Sequence, residues 1–239
     1  MTIALADRAL GDLARSIPGA TAVFHRHQLD FCCAGRQSLR EAAAPLGLDV
    51  DAVARELESM AAPGPGSERD WREATANELI DHVLKRYHEQ HRLQVPELVR
   101  LARRVETVHG ARPDCPHGLA DHLESMLQEL VSHMQKEEQV LFPMIRAGVL
   151  PPPPIHVMRL EHEQHGVALA RMVELAGGLT PPPDACNTWR ALVAGVKVLR
   201  EDLMQHIHLE NNILFEGLNR PESAGCGGSG GGCGCGRAA

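Results

Sequence analysis

At 239 residues the chain is long enough to bury a full core, and its length allows one or two domains. Hydrophobic residues at 44% and charged residues at 23% describe a globular protein, and a formal charge of −7 with no basic patch argues against a nucleic-acid partner. No apolar run approaches about 18 residues and the amino terminus is unlike a signal peptide, so neither membrane insertion nor export is expected, and a cytoplasmic location is predicted.

Two features of the composition stand out. There are 14 histidines in a chain with only 3% aromatic residues, more than bulk packing requires. There are also 7 cysteines, an odd number, and Cys226, Cys233 and Cys235 fall in a glycine run. That is unlike a secreted disulfide framework and fits a reducing compartment.

Residues 1–62 read as a small helical domain. Leu5, Leu10, Leu13 and Ile17 have helical spacing up to Pro18, and a second helix is predicted from about Thr21. Asp30-Phe31-Cys32-Cys33-Ala34-Gly35 follows, and Ser38-Leu39-Arg40-Glu41 has the form of a capping box opening another helix. Asp49 to Met60 supplies one more amphipathic segment. A disulfide between the adjacent Cys32 and Cys33 would be strained. They read either as two small buried hydrophobes or as a thiol site for a metal, a partner or a redox reagent.

Pro63-Gly64-Pro65-Gly66-Ser67 breaks both regular periods and marks a linker over 63–74. Four long amphipathic segments then run over 75–219, the sequence form of an up-down-up-down bundle. They are predicted at Thr75 to Val105, His117 to Arg146, Pro154 to Leu175 and Asp184 to Gly217, with a kink or bulge expected at Pro96. Residues 220–239 lack the apolar content to form a core and are predicted to be disordered. The thiols there read as a flexible tail or a soft-metal arm.

The chemistry sits on the inner stripes. In the second segment Met126, Leu130, His133, Glu137, Leu141 and Met144 share a face, and in the fourth Leu192, Val196, Leu199, Leu203, His206, Glu210 and Ile213 do. Each stripe therefore carries a histidine and a glutamate four residues apart where leucine would be expected. The first stripe carries His88 and His91, and the third carries His162 and His165. Spacing alone leaves open which member of each pair is a ligand.

Four imidazoles and two carboxylates are too many for one tetrahedral zinc ion, so two metals are expected, with the glutamates bridging. Nitrogen and oxygen ligands without thiolate suit iron or manganese. Two ferrous ions with two carboxylates, or two ferric ions with the same carboxylates and a bridging oxide, leave the same net charge, which favours a redox di-iron (Fe–O–Fe) centre.

Several motifs carry a family resemblance: Asp30 to Gly35, Arg86-Tyr87-His88-Glu89-Gln90-His91, Ser132 to Glu138, Glu161-His162-Glu163, and His206 to Asn212. With them residues 1 to about 219 resemble the repair-of-iron-centres proteins. The resemblance implies an all-α fold, a hemerythrin-like four-helix bundle preceded by a small helical domain similar to ScdA-N. It also implies His88, His133, His162 and His206 as terminal ligands of a non-haem di-iron centre, with Glu137 and Glu210 bridging. His91, His165 and Glu161 are candidates to orient the ligands, although Glu161 and Glu163 are otherwise expected at the bundle margin. The remaining histidines, His208 among them, are read as surface or interface residues.

The function implied is a stress protein restoring iron–sulfur clusters damaged by nitric oxide or oxidants. It would act by donating iron, by reducing nitric oxide at the di-iron centre, or by both. Its partners would be damaged iron–sulfur proteins, nitric oxide and dioxygen, and the amino-terminal domain could be exchanged in a homodimer. The alternative is a hemerythrin-like oxygen or iron binder or sensor without turnover. The glycine–cysteine tail is a departure from the family pattern.

Overall fold

The computed structural model describes residues 4–17, 19–32, 34–60, 71–149 and 151–217. The expected linker segment Pro63-Gly64-Pro65-Gly66-Ser67, Cys33 and the tail cysteines lie outside the described residues. Among those described the regular structure is helical, with a single bridge pairing Ala9 with Ser38.

The amino-terminal part contains α1 (Leu10–Ser16), α2 (Ala20–Arg26), α3 (Leu39–Ala43) and α4 (Val50–Met60), with 3-10 turns at Leu5–Asp7 and Ala44–Leu46. The predicted capping box opens α3: Ser38 Oγ accepts from the Glu41 amide at 3.2 Å, and the Glu41 carboxylate accepts from the Ser38 amide at 2.8 Å. Leu10, Leu13, Val23, Phe24, Leu39 and Leu57 are fully buried in its core.

Four long helices follow, after a 3-10 turn at Trp71–Glu73 within the expected linker. Helix α5 runs from Ala76–Val83 through Leu84–His88 into Glu89–His109, and α6 from Leu119–Lys136 through Glu137–Leu141 into Phe142–Arg146. Helix α7 is Pro152–Leu175, and α8 runs from Asn187–Leu209 through Glu210–Leu214 into Phe215–Gly217. Each packs on the next, and α8 returns to α5, closing the up-down-up-down ring. A Thr75–Glu78 capping box starts α5, and Gly118, at φ 82°, takes the left-handed turn into α6.

The middle pieces of α5, α6 and α8 are π-helical turns, which widen the helix by one residue. They account for the stripe positions that differ from expectation. Past Glu137 the buried apolar residues are Leu141, Phe142 and Ile145, with Met144 only half-buried; past Glu210 they are Leu214 and Phe215 rather than Ile213. An inserted residue rotates everything after it to a new face. The bulge expected near Pro96 lies upstream at Leu84–His88 instead, and the α-helix passes through Pro96 without a break.

The core falls into two apolar clusters. One holds Leu79, Ile80, Val83, Tyr87, Leu141, Phe142, Ile145, Met158, Leu209, Leu214 and Phe215. The other runs from Val95, Leu130, Leu169 and Leu203 down the bundle and takes in Phe24, Phe31 and Cys32 of the amino-terminal part. Along every bundle helix, buried polar side chains occupy the turn where one cluster gives way to the other.

Candidate metal centre

That turn holds His88 on α5, His133 and Glu137 on α6, His162 on α7, and His206 and Glu210 on α8, all 0 or 1% exposed. Their ligand atoms gather in two groups of four: His88, His206, Glu137 and Glu210 form one, and His133, His162, Glu137 and Glu210 the other. Within each group the atoms lie within 4.8 Å of one another. Both carboxylates are shared. Glu137 Oε2 stands 3.4 Å from His88 Nε2 and 3.5 Å from His133 Nε2. Glu210 stands 3.1 Å from His206 Nε2 through Oε1 and 3.2 Å from His162 Nε2 through Oε2.

The outward nitrogens explain the inward ones. His88 Nδ1 meets Glu138 Oε1 at 2.7 Å, and that carboxylate also takes a bond from Arg92 at 2.8 Å. His133 Nδ1 meets Glu161 Oε2 at 2.8 Å, with Lys136 paired to the same carboxylate. His162 Nδ1 meets Asn211 Oδ1 at 2.9 Å. Carboxylate and amide oxygens only accept, so all three Nδ1 atoms carry hydrogen, and each ring presents its Nε2 to the centre.

His133 Nε2 therefore faces His162 Nε2 at 3.0 Å, and His88 Nε2 faces His206 Nε2 at 3.2 Å. Neither oxygen of the fully buried Glu137 has a hydrogen-bond partner among the described residues. Burying such groups without partners is costly. The donor set fits cations, because a divalent ion in each group can bond two nitrogens and both carboxylates at once, whereas a proton joins one pair only.

Crowding of the buried groups shows in their titration. Burial, then the nearby Glu210, pushes Glu137 up to about 8. Burial works the same way on Glu210, but the field of His206 and the hydrogen bonds of His162 and His206 hold it well below the usual carboxylate range. Burial acts to lower His88 and His162, yet Glu137 and Glu210 respectively raise both above the ordinary imidazole value. Burial, then repulsion from His162, sends His133 well down.

The structure separates the paired candidates. His88 and His162 belong to the convergent groups, whereas His91 and His165 lie one turn deeper. His91 is fully buried with neither nitrogen bonded among the described residues, its ring 5.4 Å from that of His206, and His165 sits 4.9 Å from the His133 ring. Glu161 turns to His133 and Lys136 rather than to solvent. Cys32 is buried outside the ligand groups, its thiol 3.2 Å from Asp30 Oδ1. His208 is buried at the interface with the amino-terminal part, edge-on to Phe31 at 5.4 Å.

Three neighbours of the centre escaped the sequence reading: Glu138, Asn211 and Tyr87, whose ring stacks on His206 at 5.3 Å. Each is adjacent in sequence to a candidate ligand, and that adjacency was the available signal.

Comparison with known proteins now bears on this arrangement. The hemerythrin HHE cation binding domain matches residues 79–218, more than half of the chain. The chain belongs to the hemerythrin HHE family. The amino-terminal part of this hemerythrin chain matches ScdA_N, a domain of unknown function (DUF542), over residues 6–61. Two curated relatives, from Yersinia pseudotuberculosis serotype IB (strain PB1/+) and Yersinia pestis (strain Pestoides F), are both named iron-sulfur cluster repair protein YtfE. Each is 49% identical over 218 residues, covering 90% of this chain and 98% of the relative. Among the described residues, no helix of this hemerythrin is long and apolar enough to cross a membrane.

Proposed function

We propose that this hemerythrin is a cytoplasmic di-iron protein that repairs iron–sulfur clusters damaged by nitric oxide or oxidative stress. The observation that carries the reading is the pair of facing nitrogens, His133 with His162 and His88 with His206, gathered around two fully buried carboxylates that both groups share. In this reading His88 and His206 would hold one iron, His133 and His162 would hold the other, and Glu137 and Glu210 would serve both. The names and close similarity of the curated relatives support the repair role.

When bound, the iron pair supplies electrons and open coordination positions for nitric oxide, or is itself the cargo passed to a damaged cluster. The chain's own residues set the conditions. Glu138 and Glu161 fix the tautomer and orientation of His88 and His133, and each is anchored by a cation, Arg92 or Lys136. The apolar clusters on both sides exclude water and strengthen every charge interaction between them.

The test is anaerobic iron quantitation with Mössbauer spectroscopy, followed by incubation with a nitrosylated iron–sulfur protein and headspace gas analysis. Two irons per chain and recovery of the damaged cluster are expected. Nitrous oxide in the headspace assigns reduction, and loss of iron to the cluster assigns donation. A fully loaded protein that neither restores a cluster nor consumes nitric oxide overturns the proposal, and a reversible dioxygen adduct in that protein would replace it with oxygen binding.

A further inference from the structure

The chain repeats itself around the centre. His88 and His91 on α5 correspond to His162 and His165 on α7, and His133, Glu137 and Glu138 on α6 correspond to His206, Glu210 and Asn211 on α8. In each half the residue after the shared glutamate bonds the outward nitrogen of a histidine: Glu138 that of His88, and Asn211 that of His162. The exchange of carboxylate for amide changes what this position can do, because an amide accepts at oxygen and also donates from nitrogen.

Asn211 uses both ends. Its Oδ1 takes the His162 bond, and its Nδ2 donates to the backbone carbonyl of Cys32 at 3.3 Å. The next residue repeats the grip: Asn212 Nδ2 reaches the Phe31 carbonyl at 3.4 Å and His208 Nδ1 at 2.9 Å. The π-helical turn Glu210–Leu214 presents both amides to the amino-terminal part. The segment they hold has little slack. A Cβ on Gly35 would stand 2.7 Å from the Phe31 carbonyl oxygen, and one on Gly11 would stand 2.9 Å from Asn212 Oδ1 and 3.1 Å from the Gly35 carbonyl oxygen. Glu138, by contrast, is tied only to its own side of the bundle, through Arg92.

We infer that Asn211 is a positioning residue that ties His162 to the seating of the Phe31–Cys32 segment, so that unseating this segment loosens the metal position at His133 and His162 while leaving the one at His88 and His206 held. The inference rests on the di-iron reading and deepens it, since it makes the two irons unequal in their dependence on the amino-terminal part and says which leaves first when the segment is unseated. A carboxylate-backed histidine is the stronger ligand. The amide-backed one keeps its orientation only while Asn211 is itself oriented by Cys32.

The test uses the full chain loaded anaerobically with ferrous iron and challenged with a colorimetric ferrous chelator. Backbone amide exchange is followed in parallel through the Phe31–Cys32 segment. In Asn211→Ala one of the two irons should leave about 10- to 100-fold faster, while the other keeps its rate. Asn211→Asp restores an acceptor for His162 but no donor for Cys32. It should show faster exchange in the segment and release one iron faster than the unaltered chain does, though more slowly than Asn211→Ala.

Asn212→Ala leaves the His162 bond in place and loosens the segment alone, so it should speed release of one iron severalfold. If Asn211→Ala does not fold, the Asn211→Asp and Asn212→Ala pair still decides. Unaltered release in Asn212→Ala with a loosened segment overturns the coupling, as does equal acceleration of both irons in Asn211→Ala. An unaltered chain that takes up no iron overturns the di-iron reading, and the coupling falls with it.

Discussion

The two halves of the bundle supply matching ligands and unlike surroundings. Helices α5 and α6 bring His88, His133 and Glu137, while α7 and α8 bring His162, His206 and Glu210, so each ligand group draws one histidine and one glutamate from each half. Around them the halves diverge. The residue preceding His162 is Glu161, which bonds His133, whereas the residue preceding His88 is Tyr87, which stacks flat on His206 and leaves its Nδ1 without a partner among the described residues. The residue following Glu137 is a carboxylate anchored within the bundle, and the residue following Glu210 is an amide anchored to the amino-terminal part. A duplicated ligand set therefore does not make duplicated metal positions, because imidazole basicity and orientation depend on what holds the far nitrogen.

The comparison breaks most completely at the shared carboxylates. Glu137→Ala, or Glu210→Ala, should weaken binding at both positions by more than about 100-fold, since each glutamate serves both. Iron content and melting temperature of the loaded protein should fall together, and retention of a single tightly held iron would show that the carboxylates are not shared. The metal-free protein should respond in the opposite sense to Glu137→Gln. Glu137, raised to about 8, has to take up a proton when the metal-free chain folds at neutral pH, and an amide that needs none should stabilise it by about 1 kcal/mol, read from denaturant unfolding.

A smaller change makes the halves more alike. Glu138→Gln gives His88 an amide partner, as His162 has, and should weaken the His88 position about tenfold, measured by competition with a metal chelator. An unchanged affinity would mean that the difference between carboxylate and amide does not matter here.

The smallest expected effect concerns the support that the second half alone uses. His25 lies edge-on to Phe31 at 5.1 Å, and burial, reinforced by Arg200 and opposed by Asp202, brings its pKa down to about 4 from 6.5. The folded protein thus resists a proton that the unfolded chain accepts. Stability from this residue is intact above pH 6.5 and is lost as the pH falls towards 4. The loss should be about 1 kcal/mol after allowing for the partial exposure of the ring, and His25→Phe should remove that part of the pH dependence of unfolding.

Much of this was legible in the residues. The apolar stripes located all four bundle helices to within a few residues, and Ser38 with Glu41 marked the start of α3. Histidine and glutamate four apart on two stripes pointed to His133, Glu137, His206 and Glu210, four of the six residues that the fold brings together. Those inferences needed only helical periodicity and the cost of burying polar groups, both local properties of the chain.

The π-helical turns were not legible, since a stripe read at 3.6 residues per turn has no place for an extra residue, and Met144 and Ile213 were put on the wrong face as a result. Spacing also treated His88 and His91 as equals, as it did His162 and His165. Only the packing of four helices at one level brings one member of each pair to the centre and leaves the other a turn deeper. Tertiary structure likewise decided that Glu138 and Asn211, in equivalent places after equivalent glutamates, hold different things. A side chain's partner across the bundle is set by which helices meet there, and Asn211 meets Cys32 some 179 residues earlier in the chain.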